Sequence, residues 1–371
     1  MLLLYFFVKR TKKIKEIAIA QEIITNKSPI SILSNILLIA ENNTLTIKAS
    51  DTSVNFVTHI PVDIQEEGTT TIYCDKFMGI LSSSPSGEME FEQQDIKVTI
   101  RPIAKRIKFQ LKSIASDKFA DIPEANNVPF FEVPSKEFKE MIKQTIFAVS
   151  QDMNRFFMTG VFFTKKEDNI VMVATDARRL SYIGKSIAYG IQDFPPAIVP
   201  VKILNCILKN APEEGNISVA IVDKLIFVKF GSYEFSSKLL EGQFPNYQKV
   251  IPENQSFNFQ VNKEDLDSAL KRIGIMVDKK VSRIIFKISS GNLTLVSPES
   301  EIGTADEIIP CRYEGEEVMI ALNYNYLIDP LKVIKSEYIT FEFTEPMKAV
   351  TMRPEPAEDY FHIIMPMNIT N

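Results

Sequence analysis

The chain has 371 residues, enough for two to four domains of ordinary size. Hydrophobic residues make up 45% and charged residues 24%, which excludes a disordered or fibrous chain. The formal net charge of −5 excludes a simple polycation, so a nucleic-acid surface would have to be a local basic patch.

The chain opens on an apolar run, Met1 to Val8, followed by Lys9, Arg10, Lys12, Lys13 and Lys15. That order is the reverse of a secretory signal, and the run is far shorter than the roughly 20 apolar residues that span a bilayer. It predicts a buried strand leading into a basic helix over Thr11–Ile24. Asn35–Asp51 reads as a β-hairpin turning on Asn42-Asn43. A short helix over Asp75–Leu81 and two alternating strands, Glu88–Glu92 and Ile96–Ile100, follow. Glu88, Glu90 and Glu92 share one strand face, which reads as a solvated face in preference to a metal site. The segment closes on Asp121-Ile-Pro123.

The same succession then returns twice. Phe130–Val133 is a strand running into a helix from an N-cap at Ser135 to about Val149. The hairpin is Gly160–Asp176, the short helix Val201–Leu208, and the close Val250-Ile-Pro252. Next come a strand over Phe257–Val261, a helix from an N-cap at Asn262 to about Gly274, and a hairpin over Ile284–Glu299. A short helix over Asn325–Leu331 and the close Ile364-Met-Pro366 complete the third round. The acidic ends Asp51, Asp176 and Glu299 lie 125 and 123 residues apart. The fold class is therefore α+β, built from three copies of one domain over residues 1–127, 128–254 and 255–371.

The basic residues fall on equivalent helices. Lys136, Lys139 and Lys143 follow i, i+3, i+7 spacing, away from Phe138, Met141 and Ile142. Lys202 and Lys209 repeat this on the second short helix, and Lys76 marks the first. Lys271, Arg272, Lys332 and Lys335 belong to the third copy, diluted by Glu264, Asp265 and Asp267. Repeated basic helices in an acidic protein suggest a surface that cradles duplex phosphates without reading sequence.

No phosphate loop, GxGxxG, HExxH or GxSxG motif is present. The two histidines, His59 and His362, are too far apart for a His-rich catalytic metal centre. Cys74, Cys206 and Cys311 form no CxxC pair and read as reduced thiols of a cytoplasmic protein. Ala174-Thr-Asp-Ala-Arg-Arg-Leu180 is the most conspicuous polar motif and, lacking a general base, reads as a hairpin end with a local carboxylate–arginine pair. Two alternatives stand beside DNA cradling: a metal-dependent DNA-modifying enzyme and a scaffold that binds proteins only.

These residues carry a resemblance. Ala174–Leu180 resembles the ATDGHRL motif of the bacterial DNA sliding clamp, the β subunit of DNA polymerase III. Ser236–Pro252 is similar to that family's SKLxxGxFPDYxxVxP stretch, and Ile364-Met-Pro-Met367 to its terminal MPM. Departures are Ala177-Arg178 for the usual Gly-His, and Asn368-Ile-Thr-Asn after MPM. The resemblance implies a head-to-tail homodimeric ring of six domains, with helices lining the pore and sheets outside. Such a ring needs no cofactor or metal and catalyses nothing. It encircles duplex DNA and tethers the replicative polymerase, the clamp loader and other clamp-motif proteins.

Carried across by position, the resemblance implies a two-part peptide pocket. Met158, Thr175, Ala177, Arg178, Arg179, Leu180, Pro245 and Val250 form one part. Asn323, Tyr326, Met347, Ala349, Ile364, Met365, Pro366 and Met367 form the other. A peptide's apolar end would sit among Thr175, Leu180, Pro245, Val250 and Ile364, and its glutamine near Asn323, Met365 and Pro366. Arg178, in place of histidine, would favour an acidic residue in the peptide. The resemblance also implies a dimer interface at Phe109, Leu111, Ile275 and Met276, and adds Lys27 to the DNA-facing residues Lys76, Lys136, Lys139, Lys143, Lys202 and Lys209.

Overall fold

A computed structural model describes residues 2–9, 14–24, 31–186 and 193–369. Lys27, Arg10, Lys12 and Lys13 lie outside the described residues, as does the side chain of Lys9. Packing divides the chain into two compact units. One comprises Met1–Lys136, Gly190–Phe194 and Lys202–Leu239; the other Glu137–Tyr189, Pro195–Val201 and Leu240–Asn371.

In the first unit, alternating apolar residues build two antiparallel sheets. A five-stranded sheet runs Asp63–Glu66, Leu2–Lys9, Glu88–Gln94, Lys97–Pro102, Phe109–Lys112 in spatial order. Within it Phe6 stacks on Phe91 at 4.8 Å, and Phe77 of helix α2 (Cys74–Ser83) meets Phe91 edge-on at 5.5 Å. The eight-stranded sheet runs Phe131–Pro134, Asn216–Val222, Leu225–Phe230, Tyr233–Lys238, Val54–Pro61, Thr44–Ser50, Asn35–Glu41, Gly68–Tyr73. Its first hairpin turns on Asn42-Asn43, both at positive φ, as a two-residue turn between right-twisted strands requires. Helix α1 (Ile14–Ile23) buries Ile17, Ala20 and Ile23. The predicted solvated strand face is half-buried at Glu90 and Glu92 and resolves into ion pairs: Arg101 bridges Glu90 at 3.1 Å and Glu92 at 2.7 Å.

The second unit holds a twelve-stranded sheet. From its first edge it runs Ala197–Pro200, Gly160–Lys166, Asn169–Thr175, Arg179–Ser186, Tyr360–Ile364, Val350–Glu355. It continues through Tyr338–Phe343, Phe257–Asn262, Asp306–Arg312, Asn292–Val296, Arg283–Ser289 and Val318–Asn323. Only Gln260↔Arg312 and Val261↔Cys311 join Phe257–Asn262 to Asp306–Arg312, so the sheet is nearly split there.

The helices α3 (Ser135–Thr145), α4 (Val201–Asn210), α5 (Lys263–Ile273) and α6 (Tyr324–Leu331) fall where the repeat predicts. Asn262 caps α5, its side-chain oxygen accepting from the Glu264 and Asp265 amides. Ser135 behaves differently from the predicted cap: it opens α3 itself, and its hydroxyl donates to the Pro212 carbonyl. All three cysteines are buried free thiols, and burial pushes Cys74 up to about 12.

The repeat extends to single hydrogen bonds. Asp51 Oδ1 accepts from the Ser53 and Val54 amides, while Ser50 Oγ accepts from Thr52. Asp176 Oδ1 accepts from Arg178 and Arg179, while Thr175 Oγ1 accepts from Ala177. The third acidic end departs from this. Glu299 is exposed in the loop after Val296 and caps no such turn.

Candidate peptide groove and basic helix faces

The Asp176 turn projects Ala177 and Arg178 from the hairpin end, with Ala177 at φ 74°. Arg179 then re-enters the sheet. It reaches Asp176 at 3.1 Å and Asp329 of α6 at 2.8 Å, and donates to the Phe147 carbonyl at 2.5 Å. Its guanidinium lies 4.6 Å from the Tyr326 ring centre. This arginine therefore ties the turn to α6 and to the chain after α3.

Strand pairing sets the floor beside that turn. Leu180 lies opposite Ile363 and Arg179 opposite Ile364. Successive residues point to opposite faces, so Leu180 and Ile363 share the face that also carries Phe244, Tyr247 and Phe361. Over them opens a cavity of about 230 Å³ lined by Met158, Thr175, Ala177, Arg178, Arg179, Leu180, Pro245, Asn246, Tyr247, Val250, Ile363 and Met365. Its floor is apolar and buried, while Val250 is 50% exposed at the rim. Ile364 does not line this cavity: one step along the strand turns it to the opposite face, where it is buried.

A second cavity of about 400 Å³ adjoins the first. Arg178, Arg283, Asn323, Tyr326, Met365, Pro366, Met367 and Asn368 line it. The terminal segment forms its wall, pinned by Met365 N to Arg178 O and Met367 N to Ala321 O, each 2.8 Å. Arg283 Nη1 donates to the Asn368 carbonyl at 3.0 Å. Asn323 caps α6, accepting from the Asn325 amide at 2.9 Å. Met347 is exposed and Ala349 packs against the cluster that holds Leu180, and neither lines either of these two cavities.

The structure thus gathers thirteen of the sixteen pocket residues read from the sequence into two adjoining cavities and sets Met347, Ala349 and Ile364 apart. It adds Asn246, Tyr247, Arg283, Ile363 and Asn368. Strand parity could have favoured Ile363 over Ile364, and Tyr247 sits inside the Ser236–Pro252 stretch that carries the resemblance. Behind the site His362 is buried, with Nδ1 2.9 Å from Ser181 Oγ, and burial with nearby Arg179 lowers it to about 3. It is a neutral structural ring.

The basic helices separate into exposed and committed lysines. Lys76, Lys136, Lys143 and Lys209 are exposed, although Lys209 pairs with Glu22. Lys139 is only 5% exposed, contrary to its predicted place on an open row. Buried positions cover about 220° of the α3 circumference at 100° per residue, leaving an open strip only around Lys136, Glu140 and Lys143. Lys139 lies at the margin and is covered. Lys202 is also withdrawn: its ammonium bonds Asp51 and the Ile23 carbonyl, both at 2.5 Å. In that first turn Lys202 does for Asp51 what Arg179 does for Asp176. On the predicted dimer residues, Ile275 is 80% exposed, Met276 is half-buried, and Phe109 and Leu111 sit half-buried on the last strand of the five-stranded sheet.

Family models of the DNA polymerase III beta subunit match in order: the N-terminal domain over residues 4–123, the central domain over 132–246 and the C-terminal domain over 248–368. The beta sliding clamp of Treponema pallidum is 44% identical over 358 residues, 95% of this chain and 96% of that one. The DNA polymerase sliding clamp of Pseudomonas aeruginosa superposes with a TM-score of 0.93 at 24% identity, over 99% of this chain and 100% of that one. That of Bacillus subtilis gives 0.94 at 22% identity, over 99% of each chain. With three consecutive domain models matched along the chain and a relative of this identity over nearly its full length, the chain belongs to the DNA polymerase III beta subunit family.

Proposed function

We propose that the chain works as a DNA sliding clamp in the cytoplasm. Two copies close head to tail around duplex DNA, and the groove at Leu180 and Ile363 tethers the replicative polymerase, the clamp loader and other partners. It is an accessory processivity factor with no catalysis of its own. Its domains divide near residues 127 and 254. Met158, Leu180, Pro245, Tyr247, Val250 and Ile363 take a peptide's apolar end, and Asn323, Met365 and Pro366 its glutamine. Lys76, Lys136, Lys143 and Lys209 face DNA and take their affinity from released counterions.

The observation that carries this reading is an unfinished edge pattern. In the first unit the third strand after the short helix, Tyr233–Lys238, pairs with Val54–Pro61, the strand after a hairpin. In the second unit Tyr360–Ile364 pairs with Arg179–Ser186 in the same way. The remaining members of this set are Phe109–Lys112 and Asp306–Arg312. The first ends its sheet, and the second has only two residues paired with Phe257–Asn262 on its outer side. Exposed apolar residues accompany both: Ile103 at 54% and Ile107 at 41%, and Ile275 at 80%, Ile302 at 89% and Ile308 at 62%. Lys105, Arg106 and Lys108 lie by the first edge, Glu299, Glu301 and Asp306 by the second. A second copy would cover both edges and repeat the contact, which closes a ring when the rotation closes.

The test is the mass in solution and retention on DNA. The full chain should run as a dimer by light scattering, and Ile275→Asp with Ile308→Asp should run as a monomer. After loading by its clamp loader and ATP, the wild type should stay on nicked circular DNA and leave it once the circle is linearised. Monomer at micromolar concentration, or equal retention on both DNA forms, refutes the ring.

A further inference from the structure

The second cavity has a chemical character that the first lacks. Two guanidinium groups line it, from Arg178 and Arg283, beside the neutral residues Asn323, Tyr326 and Met365–Asn368. Two carboxylates bound by the neighbouring Arg179 are already committed. Asp176 accepts from two backbone amides and from Arg179, and Asp329 pairs with Arg179 and Lys332. Arg178 is exposed, and its guanidinium takes part in no ion pair among the described residues. Arg283 is held in place: it is 9% exposed and donates through Nη1 to the Asn368 carbonyl. One cation is thus fixed in the wall and the other stands exposed at the mouth.

We infer that this cavity is a carboxylate subsite. It takes the acidic side chain of a residue that precedes the glutamine in a docked peptide, with Arg283 as the fixed donor and Arg178 as the closing one. This rests on the groove assignment above. With the apolar end of the peptide over Leu180 and Ile363, the chain leaving the glutamine runs along Met365–Asn368, whose far end Arg283 holds. A planar guanidinium matches a carboxylate in two parallel hydrogen bonds, and a partly enclosed wall screens such a pair less than open water does. Arg283 thereby becomes a specificity-determining residue outside the apolar pocket.

The experiment uses the full-length protein and three fluorescent, amidated peptides that share a glutamine and an apolar end. They carry Glu, Gln or Lys immediately before the glutamine. Binding is read by fluorescence anisotropy at low and high salt. For the wild type the Glu peptide should bind about three- to tenfold tighter than the Gln peptide and the Lys peptide weaker still, with the gap narrowing in salt. Arg178→Gln should shrink the Glu-to-Gln ratio. Arg283→Gln should bring it to about one, and Arg283→Lys should restore part of it. Because ratios within one variant are compared, a general loosening of the terminal segment by Arg283→Gln does not imitate the result. Equal binding of the three peptides to the wild type refutes the subsite but leaves the groove standing, whereas binding of none refutes the groove itself. A mixed-sequence single-stranded oligonucleotide serves as competitor. If it displaces the Gln peptide through both arginines while the peptide ratio is one, the ligand is a DNA phosphate and the inference is wrong.

Discussion

Arg178 and Arg179 are neighbours in sequence and opposites in role, and replacing each with methionine separates the roles. Arg179 is 12% exposed on its side chain and bonds two carboxylates that are 15% and 25% exposed, at 3.1 and 2.8 Å. It also donates to the Phe147 carbonyl at 2.5 Å. Methionine keeps an apolar stem but removes the charge and the guanidinium that lies over Tyr326. Asp329 keeps Lys332 at 2.9 Å, and Asp176 keeps two backbone amides. Neither carboxylate is stranded, so the loss belongs at the lower end of the range for a broken buried pair, about 3 kcal/mol. For a cooperative unit of 150–250 residues that lowers the unfolding temperature by roughly 6–12 °C. Arg178→Met removes an exposed side chain without an ion pair and should shift stability by less than about 0.5 kcal/mol. Scanning calorimetry of both variants gives the comparison, with peptide anisotropy alongside. Arg178→Met should lose part of the selectivity at unchanged stability; Arg179→Met should lose both stability and affinity. An Arg179→Met transition within a degree of wild type would refute the anchoring argument.

Three other outcomes follow from the same geometry. Ala177 holds φ 74°, where a Cβ is strained, so Ala177→Gly should stabilise the chain by about 0.5–1 kcal/mol in urea titration while leaving peptide affinity near wild type. His362 is depressed from about 6.5 to about 3, so the unfolded state binds the extra proton between those values. Stability should therefore be complete above pH 6.5 and fall by about 1.4 kcal/mol per unit below it, a slope that His362→Gln removes; Glu140, also held below its usual range by Lys335 and Lys185 against burial, adds its own loss only at more acid pH. Removing the charges of Lys76, Lys136, Lys143 and Lys209 should flatten the salt dependence of DNA binding, whereas Lys202→Met should lower thermal stability and leave that slope nearly unchanged.

Much of the fold is written locally, which is why the sequence discloses it. Asn42-Asn43 and Ser290-Gly291 supply turn conformations that flanking alternation then extends into strands. Asn262 marks the start of α5 by a bond within four residues. What escaped depends on distant partners. Nothing near Lys202 in sequence announces Asp51, and nothing on α3 alone says that cover spreads over Lys139. The choice between Ile363 and Ile364 turns on a single step of strand parity set by pairing with Leu180. Arg283 enters the groove only because the terminal segment folds back to it. Glu299 shows the converse: even spacing along the chain did not preserve the turn it was matched to.

The paired turns at Asp51 and Asp176 share their hydrogen bonds but not their cargo. Thr52, Ser53 and Val54 stand where Ala177, Arg178 and Arg179 stand, and Asp51 draws its cation from a distant helix instead of an adjacent arginine. In the third copy the matched Glu299 caps no such turn. Duplication thus kept the scaffold three times and equipped it once, which for the ring and groove proposed above gives one berth per chain and two per ring. Under that proposal, partners that share this berth would displace one another or split the pair, so the order in which they act on DNA would be set by abundance and residence time at a scarce mooring.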